Sequence, residues 1–264
     1  FRRVLFRSDI DAILATGVEV KMNQNIGTEE MKEIHKFYDA TYVAIGAHTD
    51  KKLGLEGEDS KNVISAVDML REIGDGKYPD YTGKRVVVVG GGNVAMDCAR
   101  TAIRANAETV SIVYRRRQED MTALPAEVEG AVAEGIELVT LKAPLRVEAD
   151  AEGNACALWV QPQIIGPVRG GRPSPRKANK PEERMECDIV LVAIGQDIVS
   201  QPFADFGLAT NWGRIVANEG GAANMVGVYA GGDCVSGPST VIKAIAAGKA
   251  AAANIDEYLG CHHP

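Results

Sequence analysis

Three observations place this 264-residue chain in the α/β class, with two nucleotide-binding lobes. A hydrophobic run at 86–89 stops at three glycines, and a helical pattern from 93 to about 105 leads into a second apolar run at 110–113. Two short apolar segments, 42–47 and 190–196, carry the same Ala-Ile-Gly ending about 150 residues apart. A third run, 226–230, meets Gly231-Gly232-Asp233 ahead of a long alanine-rich helical pattern.

The first observation is a strand–helix–strand unit whose turn has the spacing Gly90-x-Gly92-x-x-Ala95, which fits a Rossmann-like dinucleotide fingerprint. Gly90 permits the tight turn, Gly92 lets the backbone approach a pyrophosphate, and Ala95 lets the helix pack close to the sheet. The helix start at Asn93 and Val94 offers unpaired N–H groups and a positive dipole end to phosphates. Taken alone, the pattern also suits a structural glycine turn. Its place between a strand and a helix makes dinucleotide binding the expectation.

Taken in order, the chain opens on eight residues with no helix or strand logic, set aside as an assembly scar. Ile10, Ile13 and Leu14 share a helical spacing that ends at Gly17, and Val18, Val20 and Met22 alternate as a strand would. Thr28 with Glu29 and Glu30 starts a short helix, acids at its positive end. Segment 42–47 is a buried strand ending at Gly46; its copy ends at Gly195. Each could be an ordinary core strand with a turn glycine; the pair suggests two similar lobes. Residues 53–59 are turn-rich, 63–70 look helical, and 74–83 read as a linker and domain crossing. Beyond the arginines, 121–125 is a loop and Pro125 begins a helix to Glu134. Strands follow at 136–141, 145–149 and 155–161, the last two joined by a hairpin turn at 150–154. Residues 166–186 carry Arg169, Arg172, Arg176, Lys177, Lys180 and Arg184, offset by Glu182, Glu183 and Glu186, and read as an exposed solvated loop rather than a basic arm. Strands at 214–217 and 226–230 precede a helix over 239–259, with Val241, Ile242, Ile245, Ile255 and Leu259 on its apolar face.

Composition removes several function classes. A net charge of −7 and a pI near 5.3 argue against a general nucleic-acid or anionic-membrane surface. No apolar run approaches transmembrane length and no signal-like segment opens the chain. Five cysteines without a C-x-x-C pair exclude a dithiol motif or zinc ribbon and suit a reducing cytoplasm. His35, His48, His262 and His263 are dispersed, and no Ser/His/Asp or metal constellation stands out, so neither catalytic side chains nor metal ligands are expected.

A strand ending in Gly-Asp ahead of a helix has a use in flavoproteins. Asp233 would accept a hydrogen bond from a ribityl hydroxyl while Gly232 keeps the backbone clear. The helix start at Ser239, with the N–H groups of Thr240 and Val241, would face the flavin N1/O2 edge, where reduction builds negative charge. An aspartate that merely caps a turn is the plainer alternative.

GGGNVAMD, VYRRR, VAIGQ and YAGGDCVSGPSTVIKAIAAGKAAA together resemble the NADPH-dependent glutamate synthase small subunit and related two-dinucleotide-domain flavoproteins. The resemblance runs from about Ile10 onward. It implies an α/β fold in which a Rossmann-like NADP-binding domain is inserted into a split FAD-binding domain. Here that would make 1–78 a partial FAD-binding lobe, 79–198 the NADP-binding domain and 199–264 the C-terminal part of the FAD lobe. The family's FAD lobe begins with its own GxGxxG, and a cysteine-rich segment for iron–sulfur clusters precedes it. Neither is found upstream, so the chain is expected to be a fragment that starts midway through an incomplete FAD domain and holds FAD weakly or not at all unless the missing part is supplied.

Charge refines the cofactor. An NAD site places an acid at the end of the second strand to bond the ribose 2′-OH. Here that place is Tyr114-Arg115-Arg116-Arg117, with no acid before Glu119, which suits a 2′-phosphate. A basic, solvated strand end is the alternative. The resemblance implies an oxidoreductase passing hydride between NADP(H) and FAD. Electrons would then leave through an iron–sulfur domain or subunit outside this chain, to a glutamate synthase large subunit or ferredoxin. A ferredoxin- or hydrogenase-linked NADP oxidoreductase, or a non-catalytic nucleotide-binding fragment, are the alternatives.

Overall fold

The computed structural model describes residues 2–262; His263, one of the dispersed histidines, lies outside them. The chain divides into two compact units. The larger comprises Ala44–Val199 and Gly232–Ala244; the smaller takes the chain up to Val43, Ser200–Gly231 and the part from Ile245 on.

A five-stranded parallel sheet forms the centre of the larger unit. Its order is Val63–Ser65, Ile189–Val192, Arg85–Val89, Thr109–Tyr114 and Glu137–Thr140. The valine run explains the central strand: Val86, Val87, Val88 and Val89 are all at most 3% exposed, as a parallel strand covered on both faces requires. Alternate residues serve different cores. Val86 and Val88 pack with Ala95, Met96, Ala99 and Ala102 of the Asn93–Arg104 helix. Val87 and Val89 pack with Val147, Leu158 and Val160 of an antiparallel sheet on the other face. Small alanines on the helix allow it to lie close to the strands.

That antiparallel sheet overturns one expectation. Residues 166–186 are not a solvated loop. The strand Ala155–Arg169 runs on through a bulge between Ile165 and Val168, turns at Gly170-Gly171, and returns as Arg172–Lys177. Glu183–Glu186 pairs back onto residues 157–160 of the same long strand. Prolines at 173 and 175 lack N–H groups, so the returning strand is suited to a sheet edge. The acids expected to offset the loop's charge instead form cross-strand ion pairs, Glu182 with Arg146 at 2.7 Å and Glu183 with Lys142.

Three boundaries also differ. Residues 63–70 are a strand, Val63–Ser65, followed by a helix, Ala66–Gly74, because Val63, Ile64 and Ser65 ladder onto the Ile189–Val192 strand. Ser65 then caps the helix, its side chain accepting from Asp68 N–H at 3.2 Å. The final helix starts at Val241 rather than Ser239, since Thr240 O is the first carbonyl to accept from the helix, from Lys243 and Ala244. The linker read at 74–83 packs within the larger unit: Tyr81 is 5% exposed, and its N–H donates to Ala105 O at 2.7 Å. The two Ala-Ile-Gly copies meet through the residues that follow them, Thr49–Asp50 pairing antiparallel with Gln196–Asp197.

In the smaller unit, Thr41–Val43 pairs in parallel with Val228–Ala230. Thr28–Phe37 packs on Gln201–Phe206, joined by the Thr28 hydroxyl donating to Pro202 O at 3.0 Å and by an edge contact between His35 and Phe206. A helix spans Arg2–Leu14, so the opening residues set aside above are helical from Arg2. Val18, Val20 and Met22 form no strand; they alternate without a partner and are exposed. On the final helix, Val241, Ile242 and Ile245 are exposed rather than packed, while Ile255 and Leu259 are half-buried. No helix among the described residues is long and apolar enough to cross a membrane.

Candidate functional site: a cleft at the glycine turn

Every residue expected to bind a cofactor falls in the larger unit. A cleft of about 760 Å³ opens there, where the Arg85–Val89 and Ile189–Val192 strands end. This is the carboxyl edge of the parallel sheet, where open α/β folds place their ligands.

The glycine turn forms its floor. Gly90 N–H donates to Val113 O at 3.1 Å and so extends the ladder by one residue. Its φ of +154° lies in the region that favours glycine. Gly91 sits against the Tyr114 ring, and its carbonyl accepts from Thr122 N–H at 2.9 Å and Ala123 N–H at 3.1 Å. The Asn93 side-chain oxygen accepts from Leu124 N–H at 2.9 Å, so the 118–124 segment is stitched to the turn at two places. Gly92 carbonyl begins the helix, accepting from Ala95 and Met96. The N–H groups of Gly92, Asn93 and Val94 have no acceptor among the described residues. A Cβ on Gly92 would meet only the Thr122 hydroxyl, at 3.4 Å, so its remaining surface faces open space. Unpaired donors, a bare backbone and a helix start together fit a pyrophosphate.

The cleft gathers Gly90, Gly92, Asn93, Val94, Arg115 and Arg116, and also Gly195, Ser239 and Thr240. Ala95 is fully buried and serves packing alone. Gly46, Gly232, Asp233 and Val241 belong to the same unit but are not part of the cleft lining. Asp233 opens a short helix, Asp233–Ser236, and its carboxylate accepts from Ser239 N–H at 3.2 Å. The turn-capping role raised as the plainer alternative is therefore present, with one carboxylate oxygen left over. Thr240 carbonyl accepts from Lys243 and Ala244, while the N–H groups of Thr240 and Val241 have no acceptor among the described residues.

The three arginines differ. Arg117 is answered by Asp120 at 2.9 Å and Glu119 at 3.1 Å, and it holds the Asp120 carboxyl below the usual carboxylate range. Arg116 donates through Nε to the Pro173 carbonyl at 2.8 Å and forms no ion pair among the described residues, though its charge helps Arg117 hold the Asp120 carboxyl down. Arg115 is exposed and makes no hydrogen bond or ion pair among the described residues. Two guanidinium groups without a direct carboxylate contact among the described residues thus remain at the end of the second strand, where a 2′-phosphate would sit.

Sequence reading missed Tyr114, Thr122 and Arg172 as cleft residues. The available signal for Arg172 was the Gly170-Gly171 pair, a hairpin turn overlooked inside a charged stretch. Cys98, Cys187 and Cys234 are buried, as expected of small apolar groups, while Cys156 is half-buried; burial pushes the Cys98 and Cys187 thiols up to about 12. Among the described residues no cluster of His, Cys, Asp or Glu could hold a metal ion.

A family model described as pyridine nucleotide-disulphide oxidoreductase matches residues 4–248. The beta subunit of an NADP(+)-dependent formate dehydrogenase from Moorella thermoacetica is 37% identical over 97% of this chain and 37% of its own length. The beta subunit of an NADPH-Fe(3+) oxidoreductase from Geobacter sulfurreducens is 35% identical over 97% of this chain and 42% of its length. The glutamate synthase [NADPH] small chain of Escherichia coli is 32% identical over 92% of this chain and 55% of its length, as the motif resemblance implied. The chain thus spans from about a third to about half of these relatives. The FprA structure of Mycobacterium tuberculosis in complex with NADPH superposes with a TM-score of 0.70 at 21% identity, over 87% of this chain and 65% of that one, which bears on the fold. The Rossmann-like α/β reading holds, and the chain belongs to the pyridine nucleotide-disulphide oxidoreductase family.

Proposed function

We propose that this chain carries the NADP(H) site of an NADPH-dependent flavoprotein oxidoreductase. One observation carries the reading: the unpaired N–H groups of Gly92, Asn93 and Val94 open onto the same cleft as Arg115 and Arg116. The glycine turn would hold the pyrophosphate, the helix dipole would favour its charge, and the two guanidinium groups would select the 2′-phosphate. Ser239 and Thr240 lie on the same cleft, so the nicotinamide end would approach the helix start beyond Asp233. There Asp233 and the N–H groups of Thr240 and Val241 would orient a flavin, with Gly232, Gly46 and Gly195 keeping backbone out of its way. Hydride transfer is the chemistry that the two cofactors supply when bound; the protein's part is placement and electrostatics.

In this reading 79–198 forms the NADP-binding domain, with 1–78 and 199–264 parts of the FAD-binding lobe. Relatives named as subunits of a formate dehydrogenase, an Fe(3+) oxidoreductase and a glutamate synthase support an onward electron route through a partner. An iron–sulfur domain or subunit would take single electrons from the flavin. The identities of these relatives lie close together, so the redox-enzyme-subunit and glutamate synthase readings stand side by side. The test is binding and turnover with a dye acceptor after adding FAD. NADPH should bind far more tightly than NADH, and Arg115→Ala with Arg116→Ala should raise KM for NADPH far more than for NADH. Equal effects on both nucleotides would overturn the assignment.

A further inference from the structure

We infer that Arg172, carried on the hairpin of the antiparallel sheet, is a third 2′-phosphate-selecting cation and that its hairpin also positions Arg116. The inference deepens the NADP(H) reading above and rests on it.

Arg172 is the first residue after the Gly170-Gly171 turn, and it lines the cleft with Arg115 and Arg116. Its Nη2 donates to the Tyr114 hydroxyl at 3.0 Å and to the Asp120 carbonyl at 2.5 Å. The Tyr114 hydroxyl in turn donates to that same carbonyl at 2.8 Å. The next residue, Pro173, accepts from Arg116 Nε at 2.8 Å. Two successive hairpin residues therefore grip the end of the Thr109–Tyr114 strand, one giving a hydrogen bond and one receiving.

Charge separates this arginine from its neighbours. Arg85, Arg100, Arg104, Arg117, Arg146 and Arg184 each pair with a carboxylate. Arg172 and Arg116 are held instead by neutral oxygens, from a hydroxyl and from backbone carbonyls. Such bonds fix direction without cancelling charge. A guanidinium has five N–H donors. Among the described residues Arg172 uses only Nη2, leaving Nε and Nη1, and Arg116 uses only Nε, leaving both terminal nitrogens. Concentrating guanidinium groups with spare donors and no direct carboxylate contact on one cleft repels them from each other. It becomes favourable when a dianion enters between them, and a planar fork matches phosphate oxygens in pairs.

Tyr114 links this grip to the glycine turn. Its ring lies against Gly91, where any Cβ would stand 2.5 Å from a ring carbon, and its hydroxyl carries the Arg172 contact. The pyrophosphate end and the 2′-phosphate end are thereby registered by one side chain.

The test uses the full chain and two half-ligands by calorimetry: 2′,5′-ADP, which carries the 2′-phosphate, and 5′-AMP, which lacks it. Arg172→Gln removes the charge and ends two bonds short of the Nη2 contacts to Tyr114 and Asp120; Arg172→Lys keeps the charge without the fork. Loss of one charge-assisted contact predicts that Arg172→Gln weakens 2′,5′-ADP by about tenfold or more. Its 5′-AMP affinity should match wild type, with the thermal midpoint at most slightly lower, and Arg172→Lys should fall between. If Arg172→Gln leaves 2′,5′-ADP binding unchanged, or weakens both ligands alike, Arg172 has no selective role and the proposal falls. If wild type itself does not prefer 2′,5′-ADP, the NADP(H) reading fails first and takes this inference with it.

Discussion

The Ala193 carbonyl oxygen lies 2.3 Å from the point where a Cβ on Gly90 would stand, while Gly92, two residues on, would meet nothing closer than 3.4 Å. The two fingerprint glycines thus answer to different demands. Gly90→Ala collides with backbone on the neighbouring strand and takes a φ of +154° that an L side chain rarely adopts, so it should destabilise the fold by about 2–4 kcal/mol from overpacking plus strain. Gly92→Ala, with φ of −104°, should fold normally but put a methyl where the pyrophosphate approaches, weakening NADPH binding by about tenfold or more for one lost charge-assisted bond. Urea unfolding and nucleotide titration on both variants check this: a Gly92→Ala protein that binds normally would contradict the cradle.

What the sequence disclosed depended on how local the signal was. The turn at 90–95 and the strands on either side were legible because a buried parallel strand reads as continuous valine and a dinucleotide turn demands glycines at set spacing. The 166–186 stretch was not, because Glu183–Glu186 is fixed by pairing with residues 157–160, more than twenty residues back, and the edge-strand prolines and charges of the 163–177 hairpin look locally like loop. Val63–Ser65 was hidden for the same reason: its partner, Ile189–Val192, lies more than a hundred residues away. Arg115 and Arg116 could be singled out by position, whereas for Arg172 the Gly170-Gly171 pair signals only a turn, and it is the folded hairpin that brings the side chain to Tyr114. At Asp233 the sequence left two roles open, and the Ser239 contact makes the turn cap real without removing the other.

Acid should expose the ion-pair ladder on the antiparallel sheet. Arg184 grips Glu148 through two bonds of 3.0 Å, and Trp159 Nε1 donates to it at 2.7 Å. These hydrogen bonds, Arg184's first, hold the Glu148 carboxyl down at about 2 from an ordinary 4.5. A carboxylate favoured by the fold adds stability above its unfolded pKa and surrenders it as pH falls through the folded one. Glu148's contribution should therefore be complete above about 4.5 and disappear towards 2. Carboxyl-detected NMR should find that midpoint, and Arg184→Gln should raise it towards 4.5 and flatten the acid limb of the stability curve. An unmoved midpoint would refute the pairing.

Thiol chemistry offers an independent check of the core. Cys98 and Cys187 are fully buried, and desolvation pushes both up to about 12. At pH 8 only about one in ten thousand of such groups is thiolate, the form that reacts. Iodoacetamide should leave both unmodified in the native protein and label both once urea unfolds it, read by peptide mass. Native labelling of Cys98 would place it outside the helix–sheet core, against the packing of Ala66, Met96 and Ala102 around it.

Arg115 and Arg117 should separate selectivity from structure. They are two residues apart on one strand end, yet Arg117 is engaged by Asp120 and Glu119 while Arg115 has no partner among the described residues. Arg117→Ala removes the bond that holds the Asp120 carboxyl down, so that carboxyl should titrate nearer its ordinary value and the thermal midpoint should fall slightly. The charge it removes was already cancelled, so the NADPH-to-NADH preference should stay within about twofold of wild type, far below the loss for an uncancelled contact. Arg115→Ala should do the reverse, leaving the midpoint in place and reducing the preference about 10- to 150-fold, the worth of one charge-assisted bond to phosphate. Parallel thermal melts and nucleotide titrations on the two variants decide it. Should Arg117→Ala prove the more damaging to selectivity, the carboxylates beside it would have to release it on binding, and the distribution of charge argued for this cleft would be wrong.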